Sequence, residues 1–225
     1  MPRFLRRMTF PVFVTPAIRA LAWIRTEGLE HLESVPGPAI FACNHQSHLD
    51  THIFLEALPP KWRYRTTVSI CDEIYGGRQA WMRAFNKARY AFSVLHMNGF
   101  TLPRTAAFRR TLEHTRWLAE SGWSILIYPE GERSSTGRML PLQKGIARIA
   151  SFLHLPVVPV RLEGAVLQRS GFGFRPGPVR VRFGAPFYLQ GSDYRALTSC
   201  VEQAIRELSS ESQEQSVLVD AGLER

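Results

Sequence analysis

The chain has 225 residues, 45% of them hydrophobic, which is enough to bury one substantial core. Lys and Arg outnumber Asp and Glu by 28 to 19, and the basic excess lies in residues 1–208, because residues 209–225 carry four acidic side chains against one arginine. The three cysteines are scattered and odd in number, which argues against a disulfide framework and favours a reducing compartment.

The first 27 residues form a basic, amphipathic segment. Five arginines precede the first acidic residue, Glu27, and are interleaved with Phe, Trp, Leu and Ile. The apolar run 8–18 is too short to span a bilayer, which needs about 20 apolar residues. Pro11 and Pro16 interrupt this run and no small-residue cleavage site follows, unlike in a signal peptide. We expect a helix or broken helix lying on an anionic membrane surface, although an amphipathic helix covering the protein's own core is an alternative.

Strand-type and helix-type segments alternate from residue 28 to residue 208. Hydrophobic periodicity predicts, in chain order, strand 38–43, helix 47–57, strand 64–69, helix 72–87, strand 90–95, helix 103–120, strand 123–128, helix 143–154, strand 156–162, strand 178–183 and helix 192–208. This alternation predicts an α/β fold: a single layered domain with a mixed, largely parallel central sheet flanked by helices. Ligand sites in such folds lie at the carboxyl ends of strands. Residues 209–225 are expected to form an acidic, flexible tail.

The first candidate site is the segment NHQSHLD, which follows strand 38–43. On a continuous helix, His45 and Asp50 would point about 140° apart, so His45 is expected in the turn that precedes the helix. Ser47 is predicted as the N-cap, with Asp50 at the third helical position. The His45 ring can then fold back over the first turn, where Asp50 accepts the proton of one ring nitrogen and the other nitrogen takes a proton from a hydroxyl.

Other interpretations of this segment are open. Taken alone, the pair also fits a helix cap in which His45 is an ordinary turn residue. A metal site would use His45, His48, Asp50 and His52, but their spacing matches no known zinc motif. Cys43 is disfavoured as a nucleophile, because its neighbours place it at the end of a buried strand.

The second candidate site is the segment PEGERS, which follows strand 123–128. Gly131 permits a tight turn that can expose backbone N–H groups, and Arg133 offers a permanently charged, planar group suited to phosphate or carboxylate. Taken alone, this segment is better explained as turn chemistry with a solvated arginine. It gains weight because both candidate sites follow buried strands and therefore fall at the same edge of the predicted sheet.

Together these segments resemble the glycerolipid acyltransferases of the lysophosphatidic acid acyltransferase (PlsC-like) type. NHQSHLD resembles the family's NHxSxxD block, YPEGERS its FPEGTRS block, and LPVVPVRLEG at 155–164 its fourth, proline-containing block. The three blocks follow the family's order and spacing, and the resemblance runs from about Gly28 to Pro186.

The resemblance implies an O-acyltransferase in which His45 is the general base and Asp50 orients it. The acceptor-binding loop would comprise Glu130, Gly131, Arg133 and Ser134. A hydroxyl of a lyso-glycerolipid, expected to be 1-acyl-sn-glycerol 3-phosphate, would attack the thioester of acyl-CoA or acyl-carrier protein directly, giving phosphatidate for phospholipid biosynthesis. Backbone N–H groups near residues 44–48 are candidate donors to the oxyanion. No metal or cofactor is implied, and the enzyme is expected at the cytoplasmic face of the cell membrane, as a peripheral or monotopic protein.

Two departures from the family pattern leave the acceptor's head group open. The family's second block carries an arginine that helps to hold a phosphate, whereas the corresponding region here has His96 near that place. Arg104, the first arginine available, is the expected substrate-binding residue of this region. Glu132 stands where threonine is common, and it brings a negative charge to the expected phosphate site. A phosphate-free lyso-lipid is therefore an alternative acceptor.

Two other functions are compatible with the same residues. An acyl-thioester hydrolase would use His45 and Asp50 to activate water. A nucleic-acid-binding protein would use arginines such as Arg180 and Arg182, which alternate along a predicted strand. However, no nucleic-acid-binding motif is present, and an anionic membrane explains the basic character equally well, so no nucleic acid partner is expected.

Overall fold

A computed structural model describes residues 2–71, 99–102, 108–134, 136–164, 168–170 and 173–209. Its strands are β1 (Ala22–Glu27), β2 (Ile40–Cys43), β3 (Thr66–Cys71), β4 (Gly99–Leu102), β5 (Ser124–Ile127), β6 (Val157–Glu163), β7 (Gln168–Ser170), β8 (Gly173–Arg175) and β9 (Gly177–Phe183). Its α-helices are α1 (Pro2–Thr9), α2 (Thr15–Leu21), α3 (Asp50–Ala57), α4 (Pro60–Arg63), α5 (Phe108–Glu120), α6 (Gly145–Leu153) and α7 (Tyr194–Glu207). A π-helical turn, Phe10–Val14, joins α1 to α2, and a 3-10 turn spans Leu29–Leu32.

Seven strands form one mixed sheet in the order β1-β9-β6-β2-β5-β3-β4. Strands β6, β2, β5, β3 and β4 are mutually parallel, whereas β9 runs antiparallel to β6 and parallel to β1. Strands β7 and β8 form a separate hairpin. The predicted mixed, largely parallel sheet is confirmed, and β2 and β5 lie side by side, so the two candidate sites share one edge.

The central strands bury both of their faces, which explains why their sequences are continuously apolar. Successive side chains of a strand point to opposite faces of the sheet. Accordingly, Phe41 and Leu126 belong to the core under α3 and the N-terminal helices, whereas Ile40 and Ile125 belong to the core under α5, α6 and α7. The sheet thus lies between two helical layers.

The N-terminal helical residues carry two apolar stripes. One stripe, at helical spacing, is buried against the sheet and consists of Phe10, Val14 and Ile18. The other is exposed and consists of Phe4, Met8, Val12 and Phe13. Residues 22–27, which the sequence analysis placed in the same segment, leave the helix and form β1. Among the described residues, no helix has both the length and the apolar character required to cross a bilayer.

Several element boundaries differ from the sequence predictions. The helix predicted from residue 47 begins at Asp50, for reasons given with the site below. Strand β4 occupies residues that the pattern assigned to a connection, because a four-residue edge strand has too little alternation to be recognised. Helix 72–87, strand 90–95 and the first five residues of helix 103–120 lie outside the described residues.

Candidate active site

Asn44 directly follows strand β2 at the carboxyl edge of the sheet. Its buried side chain donates from Nδ2 to the Leu162 carbonyl at 2.9 Å and accepts at Oδ1 from the Leu162 N–H at 2.7 Å. This pair of hydrogen bonds extends the pairing of β2 with β6 by one residue, so the chain turns away from the sheet at His45. The sequence analysis did not single out Asn44, although a polar amide directly after a buried strand was a usable signal.

His45 and Asp50 form the pair that their spacing predicted. Nδ1 of His45 lies 2.8 Å from Oδ2 of Asp50, which fixes Nδ1 as the protonated nitrogen when the carboxylate is ionised. Asp50 is fully buried, whereas the His45 side chain is 20% exposed. Nε2 is therefore the ring nitrogen left to exchange a proton with a bound substrate.

The Asp50 carboxylate also organises the turn that carries His45. The same Oδ2 accepts the backbone N–H of Gln46 at 2.6 Å and that of Ser47 at 2.8 Å. The hydrogen bonds predicted for a Ser47 cap are present: its hydroxyl accepts the N–H of Leu49, and Asp50 accepts the N–H of Ser47 in return. Residues 48 and 49 form a turn, so the regular helix α3 begins only at Asp50. The Asp50 carboxylate therefore accepts the hydrogen bonds of two N–H groups of this turn.

These hydrogen bonds bear on the oxyanion donors expected near residues 44–48. The N–H groups of Gln46 and Ser47 are bonded to Asp50, and the N–H of His45 donates to Glu130 at 2.6 Å. The expectation is therefore wrong for these three N–H groups, because carboxylates already use them.

Tyr128 supports the imidazole from the end of β5. The two rings stack with centroids 4.0 Å apart and planes inclined by 18°, and the phenol oxygen lies 2.9 Å from the Thr51 hydroxyl on α3. Burial raises the pKa of Tyr128 well above its ordinary value, so it stays a neutral phenol. This positioning residue was missed, although an aromatic residue directly before the PEG segment was visible in the sequence.

Glu130 joins the two candidate sites. Its buried carboxylate accepts the His45 N–H at one oxygen and the Leu140 N–H at the other, at 2.7 Å. Burial raises its pKa, while the hydrogen bonds from Leu140 and His45 act in the opposite direction. The side chain therefore holds backbone segments together, whereas the sequence analysis assigned it to acceptor binding.

The rest of the PEG loop is folded against the His45 turn. Gly131 has a φ of 78°, the left-handed region that favours glycine, and its N–H donates to the Tyr128 carbonyl within the turn instead of being exposed. The Ser134 N–H donates to the His45 carbonyl at 2.9 Å, and Ser134 is buried. Glu132 and Arg133 are the exposed charges of this loop.

Arg161 is a half-buried cation that the sequence analysis did not single out. It lies on β6, within the block LPVVPVRLEG, with Nη1 3.5 Å from the Met139 sulfur and Nε 3.4 Å from a Glu163 oxygen. Its charge favours ionisation of both Glu130 and Cys43. Burial nevertheless raises the pKa of the Cys43 thiol well above its ordinary value, as suits a structural cysteine.

Arg104, His96 and Arg182 are the other residues singled out from the sequence. Arg104 and His96 lie outside the described residues. Arg182, considered as part of a nucleic-acid-binding stripe, is buried between the carboxylates of Glu27 at 2.7 Å and Glu163 at 2.8 Å. In the part of the chain that the structure describes, no three His, Cys, Asp or Glu side chains are grouped as metal ligands.

Comparison with known proteins identifies relatives of this chain. The sequence profile of the acyltransferase family matches residues 24–163. The chain is 30% identical over 172 residues to the 1-acyl-sn-glycerol-3-phosphate acyltransferase of Cocos nucifera, covering 75% of this chain and 52% of that protein. It is 24% identical over 197 residues to the enzyme of that name from Pseudomonas aeruginosa, covering 87% of this chain and 70% of that protein. The chain spans about half the length of the first of these relatives.

A solved structure has the same fold. It is the crystal structure of the 1-acyl-sn-glycerophosphate acyltransferase PlsC from Thermotoga maritima, which aligns with a TM-score of 0.62 over 93% of this chain and 80% of that one. At 20% identity, this likeness establishes the architecture alone.

Proposed function

Because this chain belongs to the acyltransferase family, we propose that it transfers a fatty acyl group from an acyl thioester to the free hydroxyl of a lyso-glycerolipid, with 1-acyl-sn-glycerol 3-phosphate as the acceptor. The observation that carries the proposal is the hydrogen bond between His45 and the buried Asp50, at the sheet edge where the PEG loop also lies. The choice of acceptor follows the two relatives, which are both named 1-acyl-sn-glycerol-3-phosphate acyltransferase.

The proposed reaction is a direct displacement. Nε2 of His45 takes the proton of the acceptor hydroxyl as its oxygen attacks the thioester carbonyl, and Asp50 stabilises the imidazolium that forms. The tetrahedral intermediate then collapses, the carbon–sulfur bond breaks, and the leaving thiolate takes the proton from Nε2. An ester and a free thiol are the products, and no protein nucleophile is required.

Arg133 is proposed to bind the acceptor's phosphate. Its guanidinium is exposed at the loop that packs against the His45 turn, and it provides a fork of donors suited to phosphate. Glu132 is also exposed, so its repulsion of a phosphate 4 Å away falls toward about 1 kcal/mol, the value in water. Arg161 adds a second positive charge near Glu130, and Arg104 stays a predicted contributor.

A phosphate-free lyso-lipid is the second candidate acceptor, and Glu132 is the residue that favours it. The donor is proposed to be acyl-CoA or acyl-carrier protein, since both present the same thioester to His45. No cofactor is proposed beyond the acyl donor.

The protein is proposed to act from the membrane surface, on the cytoplasmic side. The exposed stripe of Phe4, Met8, Val12 and Phe13 would enter the interface, and the exposed Arg7 would meet anionic head groups. Sedimentation with phosphatidylglycerol vesicles tests this. Phe13→Ser should weaken binding, whereas Trp117→Ser, at a similarly exposed aromatic residue on α5, should not.

The test of the activity is thiol release from palmitoyl-CoA and palmitoyl-carrier protein, with lysophosphatidate, a phosphate-free lyso-lipid or no acceptor. Release that requires lysophosphatidate should fall about 10²- to 10⁴-fold in His45→Ala, as expected for loss of a general base. His31→Ala, at a histidine remote from the site, is the matched control. Release only with the phosphate-free lipid would reassign the acceptor, and acceptor-independent release would make the protein a hydrolase.

A pair of arginine substitutions tests the role of Arg133 in binding the acceptor. Arg133→Ala should raise the acceptor's KM with little change in the donor's KM. Arg138→Ala, which removes an exposed arginine farther along the same loop, should leave both unchanged. An equal loss toward donor and acceptor in Arg133→Ala would contradict the assignment.

A further inference from the structure

A groove of about 580 Å³ lies on the helical layer formed by α5, α6 and α7, remote from the His45 turn and the PEG loop. Helix α6 packs between α5 and α7, and residues of α5, α6 and the segment 189–194 line the groove. Its apolar walls include Phe108 and Leu112 on α5, Phe152 on α6, Leu189 and Tyr194. None of the residues assigned above to catalysis or acceptor binding lines it.

Arg148 on α6 places a positive charge in this groove. Its guanidinium carbon lies 5.7 Å from the centre of the Phe108 ring and 5.6 Å from that of Tyr194, within cation–π range of both. Among the described residues, no acidic side chain lines the groove and no ion pair to Arg148 occurs. The cation is thus oriented by aromatic rings while its donors stay available to a ligand.

Ser151 supplies a second polar group beside Arg148. It follows three positions later on α6, so both side chains lie on the same face of the helix and both line the groove. Its hydroxyl oxygen is buried and has no hydrogen-bond partner within the described part of the chain. A buried hydroxyl without a protein partner is unusual in a native structure, and this one is available to hydrogen-bond a ligand atom.

The shape and chemistry together indicate the ligand class. The volume lies within the range of small-molecule sites, and at roughly 30 Å³ per non-hydrogen atom it has room for about 20 of them. We propose that this groove binds a single-chain amphiphile with an anionic head, a fatty carboxylate. Its head group pairs with the Arg148 fork and accepts from the Ser151 hydroxyl, and its chain lies along Phe108, Leu112 and Phe152.

Photoaffinity labelling of the full chain tests this site. A diazirine-bearing laurate, used below its micelle concentration, is expected to label peptides from α5, α6 and residues 189–194. Excess laurate should compete with the label, whereas dodecanol, which has the chain but no charge, should compete poorly. Dodecyl phosphate distinguishes a carboxylate site from a general anionic-head site. Labelling only elsewhere, or equal competition by dodecanol, would overturn the proposal.

Two substitutions and a matched control identify the head-group contacts. Arg148→Gln should weaken laurate binding about tenfold, as expected for loss of a charged hydrogen-bonding partner, and Ser151→Ala should weaken it less. Arg195→Gln removes an exposed arginine that follows Tyr194 but does not line the groove, and it should bind laurate as the wild type does. Wild-type affinity in folded Arg148→Gln would refute the site; if that variant does not fold, wild-type affinity in Ser151→Ala would do so. The outcome is independent of acyl transfer at His45.

Discussion

Replacing Asp50 by asparagine separates the carboxylate's charge from its hydrogen bonds. Oδ2 of Asp50 accepts from the ring of His45 and from the N–H groups of Gln46 and Ser47. An amide nitrogen in that place would face three donors, so the substituted side chain must put its amide oxygen there. The variant therefore keeps the turn, the ring orientation and the Nδ1 proton and loses the negative charge. Its amide N–H groups replace Oδ1, which has no hydrogen-bond partner among the described residues.

The expected loss of rate follows from the distance. A Nδ1 to Oδ2 separation of 2.8 Å puts the centres of the two charges about 4 Å apart, where attraction is worth about 4 kcal/mol at an effective dielectric constant near 20. This attraction exists only when His45 is an imidazolium, that is, at the transition state and in the intermediate. Its loss should lower kcat about 10³-fold, with the acceptor's KM little changed.

The assay is acceptor-dependent thiol release, followed together with thermal unfolding. Asp50→Asn should unfold at a higher temperature than Asp50→Ala, because the alanine variant leaves two backbone N–H groups without an acceptor. A folded Asp50→Asn variant that retained more than a tenth of the wild-type kcat would refute the reasoning, since the charge would then not stabilise the transition state.

Further predictions concern three residues that hold parts of the structure in place: Glu130, Tyr128 and Glu56. Glu130→Gln should lower the free energy of unfolding by about 2–4 kcal/mol, because its amide nitrogen would face a backbone N–H. Burial raises the folded-state pKa of Glu130 above its ordinary 4.5, so its contribution to stability should decrease as pH rises above 4.5. Denaturation at several pH values should therefore show that the free energy of unfolding depends less on pH in Glu130→Gln than in the wild type. An equal pH dependence in both proteins would contradict this. Tyr128→Phe keeps the stacked ring and should retain kcat within about threefold, whereas Tyr128→Leu should lose about tenfold or more in steady-state assays; equal effects would show that stacking does not position His45. Glu56→Ala should lower the free energy of unfolding by about 3 kcal/mol, because it leaves the part-buried Arg63 without its counter-charge and removes the ion pair to Arg19. Limited proteolysis should then cut first within residues 2–21. Uniform cutting along the chain would show that Glu56 does not hold this segment in place.

The sheet and the dyad could be predicted because their signals are local. Buried parallel strands have continuous apolar sequences, and a histidine five positions before an aspartate, at the start of a helix, has few ways to make contact with it. Both signals lie within ten consecutive residues. The structure confirmed the mixed, largely parallel sheet and brought His45 and Asp50 to 2.8 Å.

What the sequence could not provide depends on contacts between distant segments. Glu130 carries a charge of the type expected to bind a ligand, and only its hydrogen bond to a residue 85 positions away reveals a structural use. Arg182 appeared as one of several strand arginines until β1 and β6 placed carboxylates on both sides of it. The start of α3 was predicted three residues too early, because the hydrogen bonds between Ser47, Leu49 and Asp50 close a turn before the regular helix begins.

The pairing of β1 with β9 has a consequence for biosynthesis. Strand β1 is made before β9, its neighbour in the sheet, which begins about 150 residues later. At roughly 5–20 residues per second, a ribosome needs about 8–30 s to supply that partner. During this interval the apolar side chains of residues 2–21 cannot pack against the completed sheet. A chaperone or a membrane that reaches the nascent chain in those seconds therefore contacts this segment before it can pack against the sheet.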